Sequence, residues 1–172
     1  GTSYEKVSQL APVFRPNGTV TAGNACPLND GAAAVIVMSD TRAKELGLTP
    51  LARVVSTGVS GLSPEIMGLG PIEAVKRALA NAGMSISDID LFEINEAFAV
   101  QVLGSARALG IDEDKLNVSG GAIALGHPFG MTGARITATL LNNLATHDKT
   151  FGIETMCVGG GQGMAMVVER LG

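Results

Sequence analysis

The chain has 172 residues, a net charge of −4, and 16% charged against 46% hydrophobic residues. It has no basic stripe and, for aromatics, one tyrosine and five phenylalanines, which excludes a nucleic-acid-binding role; the absence of any run of about 18 apolar residues excludes a membrane-spanning helix. The charged share is below the ~25% usual for a soluble domain, so part of the surface is expected to be covered by something else. The length suits one domain, or one domain plus a piece of another. Of the 23 glycines, nine lie in two clusters, Gly120–Gly133 and Gly159–Gly163, so the enrichment is local and a collagen-like or disordered reading fails. With Cys26 and Cys157 as the only cysteines and no signal-like start, the expectation is a reducing, cytoplasmic compartment and free thiols. The alternative is a single Cys26–Cys157 disulfide.

In chain order, residues 1–17 carry Pro12 and Pro16 and read as a connecting segment. Asp30 is placed to cap a short helix through Gly31–Ala34, and Ala34–Met38, apolar throughout, predicts a buried strand. Ser39 predicts the cap of a helix over Asp40–Leu46, closed by Gly47. A new unit opens near Leu51, with a valine-rich strand over Leu51–Gly58 and a loop over Gly61–Gly70. Pro71 and Gly83 bracket a helix whose apolar face carries Ile72, Val75, Leu79 and Ala82. Leu91–Ile94 predicts a strand, Ala97–Leu109 a helix ended by Gly110, and Asn117–Ser119 a short strand. Thr132–Ala145, apolar nearly all round, predicts a buried helix. Phe151–Cys157 and Met164–Glu169 predict two strands joined by a tight return. The order β-α-β-α-β-α-β-β implies an α/β layered unit with a buried helix on a sheet.

Ligands of open α/β sheets bind beyond the carboxyl ends of the strands. Asn95 stands at one such end, His127 in the loop after another, and Cys157 at the end of a third. Histidine serves as a general base and hydrogen-bond donor near neutral pH, a thiol as nucleophile or proton carrier, and backbone N–H groups of glycine turns as an oxyanion site. Each residue has a structural alternative. His127 could be a hydrogen-bonder in its loop, Cys157 a small buried hydrophobe, Asn95 the cap of the following helix, and Glu96 a first-turn acid on it. His147 reads as a solvated group or a helix C-terminal cap. No paired ligand spacing for zinc occurs, and neither glycine cluster matches a Walker loop or a dinucleotide fingerprint.

Asn95-Glu-Ala-Phe-Ala99, then Gly120-Gly-Ala-Ile-Ala-Leu-Gly-His-Pro128 with Gly133-Ala-Arg135, then Cys157-Val-Gly-Gly-Gly-Gln-Gly163 together resemble the three carboxy-terminal signatures of the thiolases. Gly18–Asn24 and Asn29–Ala33 resemble the return segment that ends the family's amino-terminal half. The resemblance implies a thiolase-like layered fold, with residues 18–48 ending an amino-terminal domain and 49–172 forming the carboxy-terminal one. It implies acyl transfer between coenzyme A thioesters, either cleavage of a 3-ketoacyl-CoA or the reverse Claisen condensation. CoA is then a substrate, and no cofactor is needed.

By the same resemblance the acyl-accepting cysteine lies in an amino-terminal half not included here, so this chain alone should be inactive and its partners are that half, acyl-CoA and CoA, in a homodimer or homotetramer. His127 would activate the absent nucleophile and donate to the thioester oxygen, and Asn95 would hold a water donating to the same oxygen. Cys157 would carry the α-proton, and the Gly159 N–H would bind the acyl-enzyme oxyanion. The family commonly has serine where this chain has Cys26, near the pantetheine arm, and a thiol is the weaker donor. Phe129 and Met131 either shape the acyl pocket or pack against the buried helix. The competing readings are a thiolase-like protein that binds acyl-CoA or lipid without chemistry, and a ketoacyl synthase, which the glycine setting of Cys157 argues against.

Overall fold

A computed structural model describes residues 1–172. The elements are α1 (Tyr4–Ser8), α2 (Asp40–Glu45), β1 (Ala52–Gly61), a 3-10 turn (Pro64–Leu69), α3 (Gly70–Ala82), β2 (Leu91–Ile94), α4 (Ala99–Leu109), α5 (Ala122–Leu125), α6 (Phe129–Thr146), β3 (Phe151–Val158) and β4 (Gln162–Arg170). The four strands form one mixed sheet in the order β1-β4-β3-β2. β2 and β3 run parallel, and the other two pairings are antiparallel.

Side-chain alternation builds the layers. Phe92 and Ile94 of β2, Ile153 of β3, and Ala165 and Val167 of β4 pack with Ala74, Val75, Ala78 and Leu79 of α3 and Val102 and Ala106 of α4. The other face of the sheet gives Leu91 and Val168 to Leu140 and Leu144 of α6. Successive strand residues point to opposite faces, so α3 and α4 cover one side and α6 the other.

Local chemistry explains the element ends. Ser39 caps α2 by accepting the Arg42 N–H, and Gly83 and Gly110 close α3 and α4 in the left-handed conformation that glycine adopts without a Cβ penalty. The buried face of α3 is Ala74, Val75, Ala78 and Leu79, whereas Ile72 and Ala82 sit half-buried at its margins.

α3 lies unusually close to β1. A Cβ at Gly58 would run into the Ala74 carbonyl oxygen and come within 2.6 Å of the Ala78 nitrogen, both backbone atoms of α3. Gly58→Ala in the intact protein is therefore expected to cost about 1–3 kcal/mol through overpacking, read as a lower thermal midpoint. Gly61→Ala on the same strand meets nothing within 4 Å and should leave the midpoint nearly unchanged.

Four expectations need correction. Ala34–Met38 is not a strand and is not buried: Ile36 is 86% and Val37 79% exposed. A strand persists only where neighbours satisfy its backbone groups, and no strand of this chain reaches this segment. Gly31–Ala34 is not helical. Asn117–Ser119 is a turn rather than a strand, with Asn117 at φ 47° and only Leu116 bridging to Phe92. α6 begins at Phe129 and buries one face, through Thr132, Ile136, Leu140, Asn143 and Leu144, while its opposite side is incompletely covered.

The accessible surface, 9802 Å², exceeds the roughly 7,900 Å² typical of a compact monomer of this mass. Leu28, Ile36, Val37, Leu51 and Phe129 all stand more than two-thirds exposed. These exposed apolar side chains accompany the low charge content.

Candidate functional site

Asn95 and Cys157 stand at the carboxyl ends of two adjacent parallel strands, β2 and β3. Asn95 directly follows β2, is fully buried, and donates its backbone N–H to the Thr155 carbonyl of β3 at 3.0 Å. Cys157 lies two residues beyond Thr155, 5% exposed. Asn95 does not cap a helix: α4 starts four residues later, with Phe98 in the cap position. Glu96 is not a first-turn acid either. Its carboxylate accepts from Asn117 Nδ2 and from the Ile123 N–H, both at 3.0 Å, and so ties the end of β2 to the loop carrying His127.

That loop is set by close backbone approach. Asn29 donates from Nδ2 to the Leu125 carbonyl at 2.9 Å, and its amide occupies the space a Cβ on Gly126 would need; Gly126 has φ 102°. His127 follows, with Nδ1 2.6 Å from Thr132 Oγ1, while the Thr132 hydroxyl donates to the Pro128 carbonyl at 2.9 Å. With its proton committed to Pro128, the hydroxyl accepts from His127 Nδ1–H, which leaves Nε2 as the unprotonated nitrogen. Burial, and secondarily the positive charge of Arg135, holds the imidazole below its ordinary pKa of 6.5.

A cleft of about 410 Å³ is lined by Leu28, Asn29, Asp30, His127, Pro128 and Phe129. The Phe129 ring is 76% exposed and stands edge-on to the imidazole at 4.9 Å between centroids. Met131, in the first turn of α6, packs against Gly31. Asn95 and Cys157 do not line this cleft.

Cys157 and Cys26 are free thiols. Burial raises the Cys157 pKa above 9.0, a backbone hydrogen bond partly opposes it, and the nearby Cys26 thiol adds to it. Cys26 is held there by its N–H, which donates to the Ala97 carbonyl at 3.1 Å, and burial raises its pKa too. Gly159 is exposed in the tight turn between β3 and β4. His147 is the exposed C-terminal cap of α6. No three His, Cys, Asp or Glu side chains converge as metal ligands.

Beneath Asn95, Arg135 of the second signature meets a carboxylate, Glu93, that motif reading did not single out. Arg135 of α6 donates from Nη1 to Glu93 Oε1 at 3.1 Å and from Nη2 to Asn95 Oδ1 at 3.4 Å. Burial pushes Glu93 up to about 7 against the lowering effect of Arg135, and Glu154, which accepts from Thr137 at 2.8 Å, is likewise pushed up to about 7 by burial. The signal for Glu93 was present: a carboxylate two residues before Asn95 on a four-residue apolar strand shares its face.

An α/β layered unit with a buried asparagine and a thiol at the ends of two paired strands, and a histidine in a glycine loop tied by Glu96 to one of them, defines a class of protein, and comparison with known proteins gives the family. Residues 48–170 match the family model of the thiolase C-terminal domain and residues 1–41 that of the thiolase N-terminal domain. The chain belongs to the thiolase family. It is 54% identical over 170 residues to the acetyl-CoA acetyltransferase of Escherichia coli (strain K12), covering 99% of this chain and 43% of that protein. It is 56% identical over 174 residues to the 3-ketoacyl-CoA thiolase of Cronobacter sakazakii, covering 99% and 45%.

Among solved structures, the Bacillus anthracis acetyl-CoA acetyltransferase superposes with a TM-score of 0.95 at 49% identity, over 98% of this chain and 43% of that one. Human mitochondrial 3-ketoacyl-CoA thiolase in complex with CoA superposes with 0.92 at 48% identity, over 99% and 43%. The chain thus spans less than half the length of the relatives it matches.

Proposed function

We propose that this chain is the carboxy-terminal part of a thiolase whose intact form transfers acyl groups between CoA thioesters. The observation that carries the reading is the placement of Asn95 and Cys157 at the ends of two adjacent paired strands, in a chain more than half identical to an acetyl-CoA acetyltransferase. Residues 18–48 would end the amino-terminal domain and 49–172 form the carboxy-terminal one. The amino-terminal half would supply the acyl-accepting cysteine and cover the exposed apolar surface. Acyl-CoA and CoA would be the small-molecule partners, without a cofactor, in a cytoplasmic homodimer or homotetramer. No helix of the chain is long and apolar enough to cross a membrane.

In this reading His127 Nε2, free and basic, takes the proton of the nucleophilic thiol and then donates to the thioester oxygen. Asn95 Nδ2 is buried with no partner, as expected of an amide that holds a water against the same oxygen. Cys157, protonated at neutral pH because burial raises its pKa, returns the α-proton to the leaving enolate in cleavage. It removes that proton in condensation. The Gly159 N–H adds an oxyanion donor. Cys26, beside Cys157 and weak as a donor, fills space near the pantetheine arm. Phe129 borders the acyl end of the cleft through its edge-on contact with His127, while Met131 packs on Gly31 and supports the cleft wall.

The test is thiolysis of acetoacetyl-CoA by CoA, followed as loss of substrate absorbance. The intact protein should turn over and residues 1–172 alone should not. An intact protein that binds CoA but leaves acetoacetyl-CoA unchanged would favour the non-catalytic binding reading.

The pH dependence has a definite sign. A base whose pKa is lowered from 6.5 is lost only as pH falls below that value, and an acid whose pKa is raised from 9.0 is lost only as pH rises above it. For these two groups the expected profile of kcat/KM for thiolysis is a plateau between these limits. Glu93, pushed up to about 7 and paired with Arg135, adds an acid limb of its own, so the test is made in Glu93→Gln, where an acid limb centred above pH 6.5 would contradict the assignment of His127 as the base.

A further inference from the structure

We propose that Arg135, itself held by Glu93, is a positioning residue that fixes the amide of Asn95 with its nitrogen turned toward the water it holds against the substrate oxygen. The inference rests on the reading of Asn95 above and adds the reason that side chain points as it does. The Asn95 backbone is pinned on both sides: its N–H donates to the Thr155 carbonyl, and its carbonyl accepts from the Ala97 N–H at 3.1 Å. The orientation of the amide is the freedom that remains. Oxygen and nitrogen of an amide are nearly the same size, so packing alone does not choose between them.

A guanidinium can only donate, so the amide oxygen must face Arg135 Nη2, and Nδ2 is turned the other way, where it is buried and unpartnered. A flipped amide would present an acceptor to the water that Asn95 holds. That water would then spend one of its protons on Asn95 Oδ1 and lose the donor that fixes its lone pair, so it would be less firmly aimed at the developing enolate.

Arg135 owes its own position to Glu93. The Glu93 side chain is 1% exposed and that of Arg135 12%, and they meet because Glu93 and Asn95 share one face of β2 while α6 crosses that face. Lysine at position 135 would keep the charge but lacks the planar fork that reaches both partners at once. The arrangement therefore calls for the geometry of arginine as well as its charge.

The experiment is a double-mutant cycle in the intact protein with acetoacetyl-CoA and CoA. Variants are Arg135→Lys, Asn95→Ala and the pair, with kcat, KM and thermal midpoint read for each. Arg135→Lys alone is expected to lower kcat ~10–100-fold, the scale of a misplaced catalytic group, with KM within about twofold. In the Asn95→Ala background the same change should cost no more than about twofold. Glu93→Gln, which keeps size and shape, serves as a second variant and should show the same non-additivity at smaller amplitude.

A loss in kcat that is equally large with and without Asn95 would overturn the positioning role while leaving the reading of Asn95 intact. Full activity in Asn95→Ala itself would overturn both.

Discussion

Replacing Cys157 by alanine in the intact protein is expected to lower kcat for acetoacetyl-CoA thiolysis by about 10²–10⁴-fold, the range for loss of a general acid or base. The enolate that leaves when the carbon–carbon bond breaks must receive a proton on carbon, and a thiol that holds its proton at neutral pH can supply it. Burial gives Cys157 that property. Desolvation raises its pKa most, the Cys26 thiol raises it further, and the one opposing contribution is a backbone hydrogen bond. The substitution removes a single sulfur from a residue that pairs in register with Gly163 of β4, so the sheet should persist and the thermal midpoint should move by only a few degrees. Retention of full thiolysis would remove the proton-carrier role and favour a protein that binds acyl-CoA without chemistry.

Replacing His127 by alanine should be at least as costly, a loss in kcat of about 10³-fold or more, because one side chain is asked for two tasks. As a base it contributes 10²–10⁴-fold, and as a donor to the thioester oxygen a further ~10²–10³-fold; the two are not additive in one residue. The geometry explains why this imidazole suits both. Thr132 accepts from Nδ1, Pro128 accepts from Thr132, and Phe129 stands edge-on to the ring, so the ring orientation and the free Nε2 are set before substrate arrives. His127→Gln keeps a donor but no base, and should remain slow in acylation. A kcat within tenfold of the parent for His127→Ala would refute the assignment.

Much of the architecture was legible along the chain because its signals are local. Leu91–Ile94 is a strand with the bounds its apolar run implied, and Pro71 with Gly83, and Gly110, mark helix ends where cap chemistry placed them. The failures share one cause. Ala34–Met38 has the composition of a buried strand, but composition does not supply a neighbour, and in this chain the segment has none. Asn95 and Glu96 look like helix-opening residues by type and position. The chain instead delays α4 to Ala99 and commits Glu96 to Asn117 and Ile123. Those partners are more than 20 residues away, beyond the reach of pattern reading.

The amino-acid order by itself determined the family and named the candidate residues. Three signatures, those of His127 and Cys157 set among glycines and that of Asn95 without one, occur in an order and spacing that short-range physics alone would not produce. Only the tertiary structure decided how those groups are armed. The parallel pairing of β2 with β3, the orientation of the Asn95 amide, the nitrogen of His127 left free and the proton held on Cys157 depend on Thr155, Arg135, Thr132 and burial. Hydrogen-bond direction and desolvation are properties of what surrounds a side chain, and for Asn95 and Cys157 those surroundings come from residues distant along the chain.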